Sequence, residues 1–263
     1  MLIDTHCHLS FPDFDGDRND VIARARQANV LKMIAIAVKT KDFIPLVRIC
    51  EEYPSSIFCS IGTHPCYVHE EPDILADELA LLSSHPSVVA IGETGLDCYH
   101  NADTIQDQKT VFLRHIEAAR ISGLPLVIHS RSADDEMAVI LQEEMAKVPF
   151  TFVIHCFSSS KKLADICLDL GGYISFTGML TFPRFEDLRD IAKDIPIDRL
   201  LVETDSPYLT PSPWREKRNE PSYIVSTAKI LAQQKEVSYE EIMEKTTENA
   251  FRLFSKMSKD IAE

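Results

Sequence analysis

The sequence has little of what marks several common classes of protein. Its seven cysteines are odd in number, irregularly spaced and without a CxxC pair, so they do not form the pattern of a disulfide framework. Nothing at the N-terminus resembles a signal peptide. The longest apolar runs, such as LPLVIH and LLVETD, are far shorter than the roughly 20 residues that span a bilayer. We therefore expect a cytoplasmic protein with no membrane association.

The sequence also lacks the glycine-rich loops that bind nucleotides, because no GxGxxG motif or phosphate loop follows any apolar run. It contains no linker, low-complexity tract or internal repeat, and we predict one domain over residues 1–263. Hydrophobic residues make up 45% of the chain, which is enough for a sizeable core. With 27 basic and 41 acidic side chains the net charge is −14, so a nucleic-acid contact requires a local basic patch.

Short apolar runs alternate with longer segments of helical spacing, the pattern of a parallel sheet with crossover helices. The predicted strands are 2–6, 32–38, 57–62, 87–93, 124–129, 150–155, 172–176 and 199–204. The predicted helices are 19–28, 42–52, 74–83, 105–122, 132–145, 161–170 and 185–193, with two or three more after Pro221. Near-continuously apolar strands indicate burial on both faces. The size and pattern predict an α/β fold, a single (β/α)₈ TIM barrel, with a doubly wound open sheet as the alternative.

Polar side chains with metal-binding potential stand where the predicted strands end. His6 and His8 are two residues apart in an extended segment, so both imidazoles face the same side. The C-terminal ends of barrel strands form the face where such enzymes keep their chemistry. Four imidazoles and two carboxylates brought together there carry a large desolvation cost without compensating cations. We therefore predict a metal centre with the ligands His6, His8, Glu93, His129, His155 and Asp205.

The types of ligand limit the choice of metal. Imidazole and carboxylate without thiolate suit Zn²⁺, Mn²⁺, Fe²⁺ or Co²⁺, and Mg²⁺ stays open. Six side chains exceed the three protein ligands of a usual catalytic zinc site, so we predict two divalent ions per chain. Cys7 and Cys156 adjoin predicted ligands, but strand alternation turns them to the opposite side. We interpret both as small buried hydrophobic residues.

The motifs DTHCHL, GTHP, IGETGLD, IHSR, HCFS, ISFTG and LLVETDSPYL resemble the TatD family of metal-dependent hydrolases in the amidohydrolase superfamily. The resemblance extends from Ile3 to about Phe254. It implies a (β/α)₈ barrel with a two-metal centre and nuclease activity on DNA, often as a 3′→5′ exonuclease. It also implies that one ion is held by His6, His8 and Asp205, that the other is held by His129 and His155, and that Glu93 bridges them.

Two positions depart from the pattern of the family. Ser159 stands where the motif HCFSG has its glycine, and Glu216 stands where RGKxNxP has its glycine. The first change restricts the backbone in a loop beside His155. The second adds a negative charge to a loop that would otherwise meet phosphate. The resemblance therefore supports metal binding more directly than it supports a particular substrate.

Two cations about 3.5–4 Å apart can activate one water and stabilise charge on a phosphoryl or carbonyl oxygen. Glu93 and Asp205 are the predicted catalytic residues. We expect Asp205 to ligate a metal and to accept a proton from the water or orient it, with ligation alone as the alternative. Asp4 lies on the same strand face as His6. It either orients a ligand or makes a structural contact inside the barrel.

Five residues are candidates for contact with substrate. His64 either donates to a phosphate oxygen or caps the turn that follows it. Arg131 belongs at the mouth of the barrel, with a salt bridge to a nearby acid as the alternative. Arg215 and Lys217 lie in the loop after the eighth strand, a region where TIM barrels often bind phosphate. Trp214 beside them either stacks an unpaired base or packs the loop on the barrel. No role is assigned to His69, His85, His100 and His115.

The leading hypothesis is a two-metal phosphodiesterase that acts on DNA, as single strands or at 3′ ends. One alternative is the same centre hydrolysing an ester or amide, for example an aminoacyl-tRNA ester. Another is a metal-binding or assembly protein without turnover, against which the intact Glu93 and Asp205 argue. We infer no obligatory protein partner.

Overall fold

Eight strands alternate with helices in the computed structural model, which describes residues 1–260. The strands are β1 (Leu2–Cys7), β2 (Val30–Ala35), β3 (Ile57–Ile61), β4 (Val88–Asp97), β5 (Leu126–Arg131), β6 (Phe152–Ile154), β7 (Tyr173–Phe176) and β8 (Leu200–Val202). The α-helices are α1 (Arg18–Gln27), α2 (Phe43–Glu52), α3 (Ala76–Leu82), α4 (Ile105–Ser122), α5 (Asp134–Lys147), α6 (Lys161–Asp169), α7 (Glu186–Asp194), α8 (Ile224–Lys235) and α9 (Tyr239–Leu253). Each predicted element therefore has a counterpart.

All neighbouring strands are parallel and follow one another in chain order from β1 to β8. The barrel closes beyond the ends of β1 and β8. There the His8 amide donates to the Ser206 carbonyl over 2.8 Å, and the Asp205 amide donates to the His6 carbonyl over 2.9 Å. The (β/α)₈ prediction is confirmed. The open-sheet alternative is wrong because a doubly wound sheet reverses its strand order and this sheet does not.

The strands are buried on both faces, as their apolar runs predict. Neighbouring residues point into different apolar clusters: Leu2 and Val88 belong to one, and Ile3 and Val89 to the other. The second cluster also contains Phe254, at the end of α9. The terminal helix therefore packs on the barrel and completes its core.

Strand β4 extends four residues beyond its predicted end at Glu93, and this extension shapes the site. It pairs Gly95 with His129 and Asp97 with Arg131 on β5. The two backbones approach so closely that a Cβ on Gly95 would lie 2.0 Å from the His129 carbonyl oxygen. The φ angle of Gly95 is +139°, which glycine adopts at little cost. The GETG motif thus brings Glu93 and His129 onto adjoining strands.

The predicted single domain and the predicted lack of a membrane span can be compared with the structure only over residues 1–260. Residues 261–263 of the predicted domain lie outside the described residues. Within residues 1–260, no helix has both the length and the apolar character needed to cross a bilayer.

Candidate metal centre

The six predicted metal ligands come together at the C-terminal end of the barrel. Three of them lie within strands: His6 in β1, Glu93 in β4 and His129 in β5. The other three follow strands: His8 comes directly after β1, His155 directly after β6, and Asp205 is the third residue after β8. The fold thus gathers residues from distant parts of the sequence around one point.

One set of donor atoms surrounds the Oε2 atom of Glu93. The Nε2 atoms of His6 and His8 lie 3.3 Å apart. They lie 3.5 and 3.3 Å from Asp205 Oδ1, and 3.4 and 4.0 Å from Glu93 Oε2. Two imidazole nitrogens and two carboxylate oxygens therefore face one small volume.

A second set of donor atoms surrounds the other oxygen of the same carboxylate. Glu93 Oε1 lies 2.7 Å from His155 Nε2 and 3.1 Å from His129 Nδ1. These two nitrogens are 3.3 Å apart. His64 Nε2 lies 3.5 Å from the same oxygen. The two oxygens of Glu93 thus face two different groups of imidazoles.

The backbone around Asp205 directs its carboxylate into the barrel mouth. Its φ angle is +55°, in the left-handed region that aspartate enters more readily than most side chains. The same residue donates its amide to the carbonyl of His6, which fixes the position of the loop against β1. The strand-end loop is therefore anchored to the element that carries two other predicted ligands.

Two further carboxylates hold the imidazoles from behind. Asp97 Oδ2 lies 3.2 Å from Nε2 of His129, and Glu203 Oε1 lies 3.3 Å from Nδ1 of His155. Such partners fix the tautomer and orientation of a ligating histidine. The sequence prediction missed both residues, although Glu203 stands two residues before Asp205 and Asp97 closes the motif IGETGLD.

Asp4 makes a structural contact inside the barrel. Its carboxylate accepts hydrogen bonds from the Thr204 amide at 2.9 Å and the Thr204 hydroxyl at 2.6 Å. It also accepts a longer bond from the amide of His6, at 3.3 Å. Burial raises the pKa of Asp4 to about 8. The residue therefore joins β1 to the segment after β8 and supports His6 through the backbone.

The charges of the centre are balanced only by histidine among the residues described. Glu93, Asp97, Glu203 and Asp205 form ion pairs with imidazoles and none with lysine or arginine in residues 1–260. Burial acts to raise the pKa of Glu93, but the imidazoles of His155 and its neighbours outweigh burial and hold this pKa well below its usual range. Glu93 thus favours its charged form in a deeply buried place.

Burial and neighbouring charges also act in opposite directions on the pKa of His155. Burial acts to lower its pKa, but the carboxylates of Glu93 and Glu203 outweigh burial and raise it well above the usual value. A site so arranged gains from added positive charge. Imidazole nitrogen and carboxylate oxygen are suitable donors for Zn²⁺, Mn²⁺, Fe²⁺ or Co²⁺. The residues present therefore fit divalent cations.

A cavity of about 510 Å³ opens directly above these donor atoms. Its wall contains Glu93, Asp205 and most of the predicted ligands, together with aromatic side chains. Phe11 stacks on the ring of His8 with 4.5 Å between centroids, and the exposed ring of Tyr208 stands across from both. The donor atoms are thus accessible to a small organic group.

A family model described as TatD related DNase matches residues 3–255. The chain belongs to the TatD family of metal-dependent hydrolases. The metal-dependent hydrolase YabD of Bacillus subtilis (strain 168) is 40% identical over 257 residues, covering 97% of this chain and 99% of YabD. YcfH of Escherichia coli (strain K12) is 39% identical over 257 residues, covering 97% of this chain and 96% of YcfH. The crystal structure of YjjV, a TatD homologue from E. coli K12, matches with a TM-score of 0.89 at 30% identity, covering 97% of this chain and 98% of YjjV.

The TatD resemblance inferred from the motifs is confirmed by these matches, but two expectations about cavity residues need correction. Cys156 does not turn away from the site, because β6 ends at Ile154 and Cys156 has a φ angle of +45°. It lines the cavity. His100, to which no role was assigned, also lines the cavity and places Nδ1 2.9 Å from Asp97 Oδ2. Cys7 is buried in the apolar core, as predicted.

His64 caps the turn that follows it with one ring nitrogen and directs the other towards Glu93. Its Nδ1 accepts a hydrogen bond from the Cys66 amide at 3.0 Å, which caps the following turn. Burial lowers the pKa of His64 to about 3, so the ring is neutral at physiological pH. Its Nε2 faces Glu93. A contact with phosphate stays a prediction.

Arg131 lies at the cavity wall with its guanidinium 5.1 Å from the centroid of the Tyr99 ring. The expected alternative, a salt bridge, does not form with any acid of residues 1–260. Among the described lining residues, Arg131 carries the one lysine or arginine charge of this cavity. Contact between Arg131 and a substrate stays a prediction.

The loop after β8 does not bring its predicted substrate contacts to the cavity. Trp214 stacks on Tyr223 with 5.3 Å between centroids, at a separate surface groove. The Arg215 guanidinium lies 3.7 Å from the centroid of the Phe182 ring, and the Lys217 ammonium lies 4.9 Å from that of Trp214. Substrate binding by these three residues stays a prediction.

The two positions that depart from the TatD motifs also lie away from the donor atoms. Ser159 lines shallow grooves beside the cavity. Glu216 is exposed in the loop after β8. Neither replacement alters the set of metal-binding side chains.

Proposed function

We propose that this protein holds two divalent cations on either side of Glu93 and uses them to hydrolyse phosphodiester bonds of DNA, from the 3′ end of single strands. The observation that carries the proposal is the division of donor atoms between the two oxygens of one carboxylate. His6, His8 and Asp205 would hold one cation, and His129 and His155 the other. The description of the matching family as TatD related DNase supports the choice of substrate.

Bound cations would supply Lewis acidity and lower the pKa of water at the site. The protein contributes a proton acceptor through Asp205. Its Oδ1 faces His6 and His8, while Oδ2 enters no hydrogen bond within residues 1–260. The side chain is 15% exposed, at the floor of the cavity. Asp205 is thus placed to take a proton from an attacking water.

The cavity wall offers one cationic group that suits a phosphate. The Arg131 guanidinium can form paired hydrogen bonds with phosphate oxygens. Among the described residues that line the cavity, it is the one lysine or arginine side chain. Its placement favours a substrate with anionic oxygens.

The aromatic side of the cavity suits a nucleobase. Phe11 and Tyr208 stand beside His8, and the Tyr208 side chain is 54% exposed. Stacking of a base on an aromatic ring contributes about 1–3 kcal/mol and needs a base that is not already paired. The arrangement favours single-stranded DNA or a frayed end over an intact duplex.

The experiment is a digestion of 5′-labelled single-stranded DNA by protein reconstituted with Mn²⁺, with EDTA added to a parallel sample. We expect stepwise shortening from the 3′ end that EDTA abolishes. The comparison of Arg131→Ala with the double variant Arg215→Ala, Lys217→Ala locates the phosphate contact. Loss of Arg131 is expected to raise KM more than kcat falls, since the contact is remote from the reacting bond.

An aminoacyl-tRNA ester in the same assay tests the main alternative. Rapid hydrolysis of that ester by a protein that leaves DNA intact would assign the centre to carbonyl substrates. Membership of a metal-dependent hydrolase family favours either enzyme over a metal-binding protein without turnover.

A further inference from the structure

A second type of metal-binding cluster lies beside the centre described above. It consists of Cys66, in the segment after β3, and of Asp97 and His100, which are three residues apart at the end of β4 and just beyond it. Asp97 Oδ2 lies 2.9 Å from His100 Nδ1 and 4.0 Å from Cys66 Sγ. The three donor atoms all lie within 4.8 Å of one another. We call these three residues the thiol cluster.

We propose that the thiol cluster is an auxiliary binding site for Zn²⁺ or a similar soft divalent cation. Donor atoms around a tetrahedral zinc ion lie roughly 3.3–3.7 Å apart, given the usual metal–ligand distances. The cluster reaches this spacing by small side-chain movements. One thiolate, one imidazole and one carboxylate leave the fourth position for water.

The donor set separates this site from the six-residue centre. Thiolate favours Zn²⁺ and Co²⁺ over Mg²⁺ and Mn²⁺, which prefer oxygen. None of the six predicted ligands of the centre around Glu93 supplies sulfur. On binding, Cys66 gives up its thiol proton to solvent and its sulfur bonds to the cation. The site is therefore selective for soft metals.

The structure provides both access and preorganisation. Cys66, Asp97 and His100 all line the open cavity. The backbone amides of Tyr99 and His100 donate to Asp97 Oδ1 at 2.9 and 2.7 Å, which leaves Oδ2 directed at the other two residues. The side chain of His100 is 58% exposed and can adjust to a cation.

Occupancy of the thiol cluster acts on the neighbouring centre through Asp97. The same Oδ2 atom lies 3.2 Å from Nε2 of His129. A cation on this oxygen weakens the bond that orients His129 and lowers the basicity of that imidazole. Excess Zn²⁺ is therefore expected to inhibit hydrolysis supported by Mn²⁺.

The test measures binding directly with cobalt. Protein carrying Mn²⁺ is titrated with Co²⁺, and the sulfur-to-cobalt charge-transfer band in the near ultraviolet is recorded. We expect the band in the wild-type protein and its loss in Cys66→Ser. Cys156→Ser is the matched control, because Cys156 also lines the cavity but lies outside the cluster. It is expected to keep the band.

A second variant guards against a folding defect in Cys66→Ser. His100→Gln removes an exposed ligand and is expected to weaken Co²⁺ binding about tenfold or more, by analogy with losses seen when a metal's supporting groups are removed. His69→Gln, an exposed histidine of the same barrel face outside the cluster, is expected to bind as the wild type does.

Three results would overturn the proposal: no band in the wild type, a band that survives Cys66→Ser, or a band that depends on Cys156. None of these readouts requires activity on DNA, so they fail or succeed independently of the proposed nuclease. If DNA is a substrate, Zn²⁺ inhibition should also be weaker in Cys66→Ser than in Cys156→Ser. Equal inhibition would contradict the coupling through Asp97.

Discussion

Replacement of Asp97 by asparagine is expected to disable the predicted ligand His129 without changing the shape of the site. The amides of Tyr99 and His100 donate to Asp97 Oδ1, so an asparagine keeps its carbonyl oxygen in that position. Its NH₂ group then faces Nε2 of His129, where the carboxylate oxygen stood. Two donors cannot pair, and His129 relieves the conflict by moving its proton to Nδ1.

That proton then points at Glu93 Oε1, 3.1 Å away, and occupies the lone pair that would bind a cation. Loss of such a supporting group typically costs about 10- to 100-fold in metal affinity. This corresponds to about 1.4–2.7 kcal/mol. The loss is expected to fall on the cation beside His129 and His155 and to spare the other.

The assay is a Mn²⁺ titration of the metal-free protein followed by calorimetry, since Mn²⁺ avoids the thiol cluster. Asp103→Asn is the matched control, because it removes the same charge from an exposed position nearby. We expect one weakened binding step in Asp97→Asn and two unchanged steps in Asp103→Asn. Wild-type affinity for both ions in Asp97→Asn would refute the reasoning.

Three further changes test other parts of the account. Glu93→Ala should weaken both cations together, since each oxygen of Glu93 faces one donor set; retention of two ions on dialysis would contradict this. Asp205→Asn should lower the hydrolysis rate by roughly 10²-fold or more while metal content falls much less; a proportionate loss of both would leave Asp205 as a ligand alone. Burial lowers the pKa of His115 to about 4, so the unfolded chain takes up a proton first as the pH falls below 6.5, and stability is lost between pH 6.5 and about 4. The free energy of unfolding should fall by about 2 kcal/mol between pH 6.5 and 5 for this reason. Urea denaturation of the metal-free protein at several pH values should show that this free energy falls less steeply with pH in His115→Gln than in the wild type. Equal slopes would show that His115 is not kept neutral.

The barrel could be predicted because each strand carries its own signal. Eight apolar runs separated by helical spacing are properties of local sequence, and helix α4 begins and ends where the pattern places it. The extension of β4 to Asp97 was missed because it depends on how closely Gly95 approaches β5. That distance depends on both strands, so the local sequence of β4 alone does not reveal it.

The predicted ligands came together for a similar reason. The C-terminal ends of barrel strands meet at one face, so position in the sequence implies position in space. Asp97 and Glu203 were missed because their importance depends on which imidazole nitrogen they face. The fold does not fix the path of the long loop after β8 in the way that it fixes the strand ends. Only the structure therefore shows that Trp214 packs on Tyr223.

The central claim is that Glu93 holds one divalent cation on each of its two oxygens. Anomalous scattering from crystals grown with Mn²⁺ tests it most directly. The account predicts two anomalous peaks, one among His6, His8 and Asp205 and one beside His129 and His155, with the carboxylate of Glu93 between them. A single peak, or two peaks that do not contact Glu93, would contradict it.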